Sequence, residues 1–298
     1  MRVSYAEGYQ APMPADHIFP MGKFRGLHRY LTQHRILDDT QVVPPNPVDS
    51  SLLRAVHTKH YCSAILDGKL SKKEERRLGL PWSPGLALRS VLAVQGTINA
   101  ALMALEDGLS GNLAGGTHHA MPNHGEGFCV FNDVAVAIRV LKHSMWVKRV
   151  LVIDCDVHQG NGTASIFADD DDVFTFSMHG AKNYPFRKPA SNKDIGLPDK
   201  TGDAQYIDTL GLALDEIFEQ FQPDLVFYLG GIDPLETDHF GRLALTHSGL
   251  KMREEVVIST VLGRNIPIVL LLSGGYAPTL QQTIEAHALL YKVASQFA

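Results

Sequence analysis

Three groups of residues in this chain can do chemistry. Asp154, Asp156 and His158 alternate with Cys155 and Val157 directly after the apolar run Val150-Leu151-Val152-Ile153. In extended chain, residues two apart face the same side, so two carboxylates and an imidazole can converge. Burying that charge is costly unless it is paired or bound to a cation. A mixed carboxylate–imidazole set suits zinc, iron(II) or manganese better than calcium. A second apolar run, Leu225 to Leu229, leads into Gly230-Gly231-Ile232-Asp233. An Asp before Pro234 is also an ordinary turn residue, but the strand before it favours a ligand. Asp156, His158 and Asp233 then make a three-ligand metal site with positions open for water and substrate.

The second group is His118-His119, in a loop that carries Gly111, Gly115, Gly116, Gly125 and Gly127. Adjacent histidines do not usually share one metal, but each can serve separately. Histidine suits a base that must take a proton near neutral pH. Asp154 and Asn161 are the side chains available to orient such rings. The third group is Tyr276, after Gly274-Gly275, whose phenol can donate to a developing oxyanion. Phe128, after Gly127, and Tyr184, before Pro185, can wall an apolar slot beside these groups. Cys129 and Cys155 read as small buried residues.

The elements that must position these residues alternate. Strands are expected at 150–154, 173–177, 224–229 and 266–272. Helices are expected at 23–35, near Leu52, at 86–105 ending at Gly108, at 132–143, 204–220, 248–263, and from Thr279 onward. Residues 68–85 read as polar surface, residues 110–127 as loop, and 178–202 as loop. Residues 1–20 read as an extended entry segment. Strands alternating with helices predict an α/β fold: a central, mostly parallel sheet flanked by helices. Neither a repeat nor a linker divides the chain, so residues 1–298 are expected to form one domain. In such sheets ligands bind beyond the carboxyl ends of the strands, where Asp154, Asp156, His158, Asp233 and Tyr276 would meet.

Composition narrows the function class. The 298 residues carry a formal net charge of −5 and 45% apolar residues. The longest charge run, Lys72 to Arg77, mixes signs, which argues against direct nucleic-acid binding. Three widely spaced cysteines, Cys62, Cys129 and Cys155, form neither a zinc finger nor a disulfide framework, and favour a reducing, cytoplasmic setting. Residues 1–20 hold no secretory signal pattern, and the apolar runs read as shorter than the roughly 20 residues of a membrane helix.

The motifs, taken in order, resemble those of the metal-dependent histone deacetylases and their bacterial relatives, including acetoin-utilisation and acetylpolyamine deacetylases. They are Gly116-Thr117-His118-His119-Ala120, Gly127-Phe128-Cys129-Val130-Phe131-Asn132-Asp133, Asp154-Cys155-Asp156-Val157-His158-Gln159-Gly160-Asn161-Gly162, Gly231-Ile232-Asp233-Pro234-Leu235 and Ser273-Gly274-Gly275-Tyr276. Gln159-Gly160-Asn161-Gly162 and His17-Ile18-Phe19-Pro20-Met21 look most like the class IV branch.

The resemblance implies the arginase/deacetylase fold and a Zn²⁺ site, with Fe²⁺ as the alternative, on Asp156, His158 and Asp233. It implies His119 as general base, His118 paired with Asp154 as its electrostatic partner, and Tyr276 as oxyanion donor. Gly127, Phe128 and Tyr184 would flank a tunnel for the acyl-amine. A structural K⁺ would sit around Asp154, Asp156, His158, Ser177 and Met178. The implied reaction removes acetyl or longer acyl groups from N-acyl-lysine or a related acyl-amine. One departure stands out: much of the family places Asp where this chain has Asn161. A neutral amide orients His119 without adding charge. The 78–90 segment also lacks an acidic residue to grip a substrate backbone. Two other readings remain: a catalytically weak acyl-amine binding protein, and a ureohydrolase of the arginase type, which needs a second metal.

Overall fold

The computed structural model describes residues 1–297. The strands are β1 (Arg2–Ser4), β2 (Val42–Val43), β3 (Leu109–Asn112), β4 (Val150–Asp154), β5 (Val173–Gly180), β6 (Lys193–Leu197), β7 (Leu225–Leu229) and β8 (Ile268–Leu271). They form one eight-stranded sheet in the order β2-β1-β3-β8-β7-β4-β5-β6, and every pairing is parallel. The helices are α1 (Lys23–Gln33), α2 (Ser50–Leu53), α3 (Lys59–Leu66), α4 (Lys72–Leu78), α5 (Pro84–Asp107), α6 (Asp133–His143), α7 (Asn161–Ile166), α8 (Asp203–Gln220), α9 (His247–Leu262) and α10 (Leu280–Ala294).

The central strands are apolar because both of their faces are covered. Val150, Leu151, Val152 and Ile153 of β4 are at most 1% exposed. Fully burying each such side chain contributes about 1.5–3 kcal/mol. The register sets Asp154 opposite Leu229 on β7 and Ser177 on β5, so the strands end together at one edge.

Helix α5 begins where Ser83 Oγ accepts from Leu86 N, has Pro84 in its first turn, and ends at left-handed Gly108. At 24 residues it is long and apolar enough to cross a membrane, against the expectation that every apolar run was too short. Its apolar surface is instead spent on α6, β1, β3 and β8, and most of its residues are buried.

Three further expectations are corrected. The loop read over 110–127 starts as β3, whose Ser110, Gly111 and Asn112 carry no apolar signal. They are buried because their polar atoms are met: Ser110 Oγ donates to Ala100 O, and Asn112 Oδ1 accepts from Tyr9 at 2.8 Å. The loop read over 178–202 contains the edge strand β6. The entry segment over 1–20 contains β1, which pairs with both β2 and β3.

Candidate active site

The site lies where β4, β7 and β8 end and where the chain leaves β3. Because all four strands are parallel, Asp156, Asp233, Ser273 and His118 meet at the same edge although over a hundred residues separate the first from the last in sequence. The meeting place is a cavity of about 390 Å³ whose lining includes His118, His119, Phe128, His158, Tyr184 and Tyr276. That size is ordinary for a small-molecule site.

Asp233 has one oxygen anchored and the other presented, whereas both oxygens of Asp156 accept hydrogen bonds, Oδ1 from His158 N at 3.0 Å. Asp233 Oδ1 accepts from Val157 N at 2.8 Å. Its Oδ2 is buried with no hydrogen-bond partner and lies 3.2 Å from His158 Nδ1. Asp156 Oδ2 accepts from Ser273 Oγ at 2.7 Å and Gly274 N at 2.6 Å, while Oδ1 lies 3.0 Å from His158 Nδ1. Ligand atoms of Asp156, His158 and Asp233 all lie within 4.8 Å of one another, the one such cluster among the described residues. An orphaned buried carboxylate oxygen facing an imidazole nitrogen and a second carboxylate is a donor set that fits Zn²⁺ or Fe²⁺. Burial, with the neighbouring Asp156 charge, raises the Asp233 carboxyl to about 7. Burial also opposes the Asp156 charge, but His118 and His158 outweigh it and hold Asp156 well below the usual range. Two adjacent carboxylates are split in this way when their charges cannot both be neutralised locally.

The two histidines have different partners. His118 Nδ1 meets Asp154 Oδ2 at 2.7 Å, and its Nε2 lies 3.8 Å from Asp156. Burial works against its charge, yet Asp154 and Asp156 raise it to about 9. His119 Nδ1 meets Asn161 Oδ1 at 2.6 Å. Burial, together with His118 and His158, holds His119 well below its ordinary value. The structure therefore pairs His118 with Asp154 and His119 with Asn161, as the motifs implied. Asn161 is the first residue of α7.

Tyr276 lines the cavity beside Phe128 and Phe240, at ring distances of 5.7 and 4.8 Å. Its backbone N donates to Asp238 Oδ2 at 2.6 Å. Burial, followed by the charges of Asp233 and Asp156, pushes its phenol well above the ordinary value, so it is a neutral donor. Tyr184 stands edge-on to His119 at 5.0 Å. Gly127 and Phe128 both have positive φ, of 56° and 65°. Phe128 pays for this conformation with a backbone bond from its N to Leu78 O at 2.8 Å. A Cβ at Gly127 would press on the His119 ring, so glycine lets the loop close over His119.

Several residues that hold the site had no role assigned to them from the sequence. Asp133, legible only as the end of the Gly127–Asp133 motif and as a residue near a helix start, anchors the histidine loop. Its carboxylate accepts from Gly116 N at 3.1 Å, Thr117 N at 2.8 Å, Thr97 Oγ1 at 2.5 Å and the Thr117 hydroxyl. Asn132, one residue earlier, is the α6 cap, accepting from Ala135 N. Buried Arg253 on α9 donates to Cys155 O at 3.2 Å and Gly231 O at 2.7 Å, tying the β4 loop to the β7 loop. The same cavity also reaches Phe19, Lys23, Phe24 and Arg89. Lys23 Nζ donates to Ser273 O at 3.0 Å, and burial lowers it to about 8. The Arg89 guanidinium stacks 4.5 Å from the Phe24 ring, and its Nε has no hydrogen-bond partner.

Comparison with known proteins supplies the family. The model of the histone deacetylase domain matches residues 17–291. The chain belongs to the histone deacetylase domain family. It is 44% identical over 292 residues to an uncharacterised protein of Picosynechococcus sp., covering 98% of this chain and 97% of that one. It is 30% identical to Histone deacetylase 2 of Arabidopsis thaliana, covering 90% of this chain and 72% of that one. A crystal structure of a histone deacetylase homologue complexed with SAHA superposes with a TM-score of 0.82 at 24% identity, over 97% of this chain and 84% of that one. That likeness carries the fold: one α/β domain around a parallel sheet. Membership in the histone deacetylase family carries the reaction class, deacetylase-type amide hydrolysis.

Proposed function

We propose that this chain is a metal-dependent deacylase that removes acyl groups, acetyl first, from N-acyl-lysine or a related acyl-amine. The observation that carries the reading is the convergence of Asp156, His158 and Asp233 with His119 and Tyr276 around one cavity. Asp156, His158 and Asp233 would hold Zn²⁺, or Fe²⁺; when bound, the metal would polarise the amide carbonyl and acidify the attacking water. His119 is held neutral, so its Nε2 accepts the proton of that water. The Tyr276 phenol donates to the carbonyl oxygen as negative charge develops there. As the C–N bond breaks, His119 returns the proton to the amine nitrogen, which leaves as a neutral amine. His118, paired with Asp154, stays protonated beside it and favours the anionic carbonyl oxygen. Phe128 and Tyr184 flank the path of the amine chain, and Gly127 lets the wall approach His119.

Phe19 and Phe24 add an apolar wall to the cavity, while Lys23 and Arg89 offer charge to the carboxylate product. That mixture supports short acyl groups over long ones. We also place a K⁺ near Asp154, Asp156, His158, Ser177 and Met178, because the register sets Asp154 beside Ser177. The Gln159–Gly162 and His17–Met21 motifs support the class IV branch, and three buried unpaired cysteines support a reducing, cytoplasmic compartment.

The test is amine release from lysine peptides and polyamines bearing acyl groups of increasing length, with Zn²⁺ or Fe²⁺ loaded and with chelator. Turnover that disappears on chelation and falls with chain length supports the reading. Binding without turnover in the loaded protein would replace it with an acyl-amine binding protein. Two metals per chain would point to the ureohydrolase alternative.

A further inference from the structure

Asn161 leaves His119 without an adjacent carboxylate, yet a carboxylate stands directly behind the amide. Asn161 Oδ1 faces His119 Nδ1 at 2.6 Å, and Asn161 Nδ2 donates to Glu126 Oε1 at 2.6 Å. We propose that Glu126 is a positioning residue for the base: it fixes the orientation of the Asn161 amide and places the missing negative charge one hydrogen bond further out. The inference rests on the reading of His119 as the base.

The argument is one of donors and acceptors. An ionised carboxylate only accepts, so Glu126 requires the NH₂ end of Asn161. The amide oxygen is then turned toward His119, where it too can only accept. His119 Nδ1 must carry the hydrogen, and Nε2 keeps its lone pair. With the amide reversed, its NH₂ would face Nδ1, the hydrogen would move to Nε2, and the ring could no longer take a proton there. An amide alone does not choose between these states. Glu126 makes the choice.

Glu126 is built to stay in place. It sits between Gly125 and Gly127 in the tight turn closed by Cys129 N donating to Glu126 O at 2.9 Å. Its side chain is 15% exposed, and Oε2 lies 3.4 Å from His124 Nε2. Burial, followed by the neighbouring Glu126 carboxylate, pushes the Tyr184 phenol up. Glu126 is absent from the cavity lining, and its hydrogen bond to Asn161 links it to His119.

The experiment compares Glu126→Gln, Asn161→Asp and the double variant. Glu126→Gln should lower kcat about 10- to 100-fold, the usual cost of removing the partner behind a site residue, with little change in KM. Asn161→Asp alone sets two carboxylates against each other. The double variant moves the charge inward while keeping the hydrogen-bond chain, and should recover to within a few-fold of the parent. A purely structural Glu126 would leave the double variant no better than Glu126→Gln. Nitrogen-15 NMR of the His119 ring, assigned by difference from His119→Gln, should show the Nδ1–H tautomer in the parent and a mixture in Glu126→Gln. An unchanged tautomer, or a kcat within about twofold of the parent, overturns the proposal. The tautomer is read whether or not the chain turns over amides. A parent with the Nδ1–H form but no turnover would therefore sink the deacylase reading and leave the role of Glu126 standing.

Discussion

Replacing Tyr276 with Phe removes one oxygen from the cavity and little else. The ring is gripped by Phe19, Phe128 and Phe240, at centroid distances of 6.4, 5.7 and 4.8 Å, and none of these contacts needs the hydroxyl. The residue's backbone tie to Asp238 is also untouched. The phenol donates no hydrogen bond within the fold and faces the cavity, so its removal leaves no protein acceptor unsatisfied. Stability should therefore change by less than about 0.5 kcal/mol, as for a substitution away from any structural feature. Metal content should be unchanged, because Asp156, His158 and Asp233 keep their anchors. Turnover should fall about 10²- to 10³-fold, or roughly 3–4 kcal/mol of transition-state stabilisation, the scale for one preorganised oxyanion donor in a water-poor site. The assay is kcat and KM on an acetyl-lysine peptide, with thermal melting and elemental analysis of the same preparation. KM should move little, since the donor acts where charge develops rather than on the resting amide. A kcat within threefold of the parent would refute the oxyanion assignment. A large fall in metal content would instead mean that Tyr276 supports the centre.

Gly274→Ala tests the packing of the metal ligands. A Cβ there would collide with Asp233 Oδ2 and sit 2.6 Å from Asp156 Oδ2. Zinc affinity by chelator competition should drop at least about 10-fold while circular dichroism stays native; unchanged affinity would mean the two carboxylates are not the ligands. Asp133→Asn should destabilise the protein by about 3 kcal/mol in urea melts, because an amide presents donors to the Gly116 and Thr117 amides that now find an acceptor. Activity should fall with it, and loss of one without the other would separate the loop anchor from the site. Asp170, bonded to Arg139 and to Lys142 at 2.7 Å, is partly exposed, so Asp170→Asn should cost only about 0.5–1 kcal/mol at pH 7. Burial opposes the Asp170 charge, but Lys142 and Arg139 depress its carboxyl below the usual value. The stabilisation is therefore full above the ordinary carboxylate range and is lost as pH falls through the depressed value. The melting difference between parent and variant should shrink below about pH 4; a difference that persists in acid would mean the effect is packing.

The sequence by itself determined the candidate reacting groups and the strands that carry most of them. β4 and β7 are continuous apolar runs closed by Asp or Gly, a pattern that only a strand buried on both faces requires, and their ends marked Asp156, His158 and Asp233. α5 and α6 were legible from apolar periodicity and from Gly108 and Asn132 at their ends. The tertiary structure decided how these pieces meet. β3 is polar, and Ser110, Gly111 and Asn112 become a strand only because Tyr9, Thr97 and Tyr291 satisfy and cover them; yet this strand delivers His118 and His119. β6 and the Arg253 tie lacked a pattern for a related reason: an edge strand needs no apolar alternation, and a lone buried guanidinium is recognisable only beside the carbonyls it bonds. Glu126 shows the same limit most clearly. Between two glycines it reads as an ordinary loop acid, and its meaning comes from Asn161, 35 positions away. Local pattern records what a residue needs from its own neighbours in the chain. A hydrogen-bond relay depends on distances across the fold, which exist only once the sheet has brought its strand ends together.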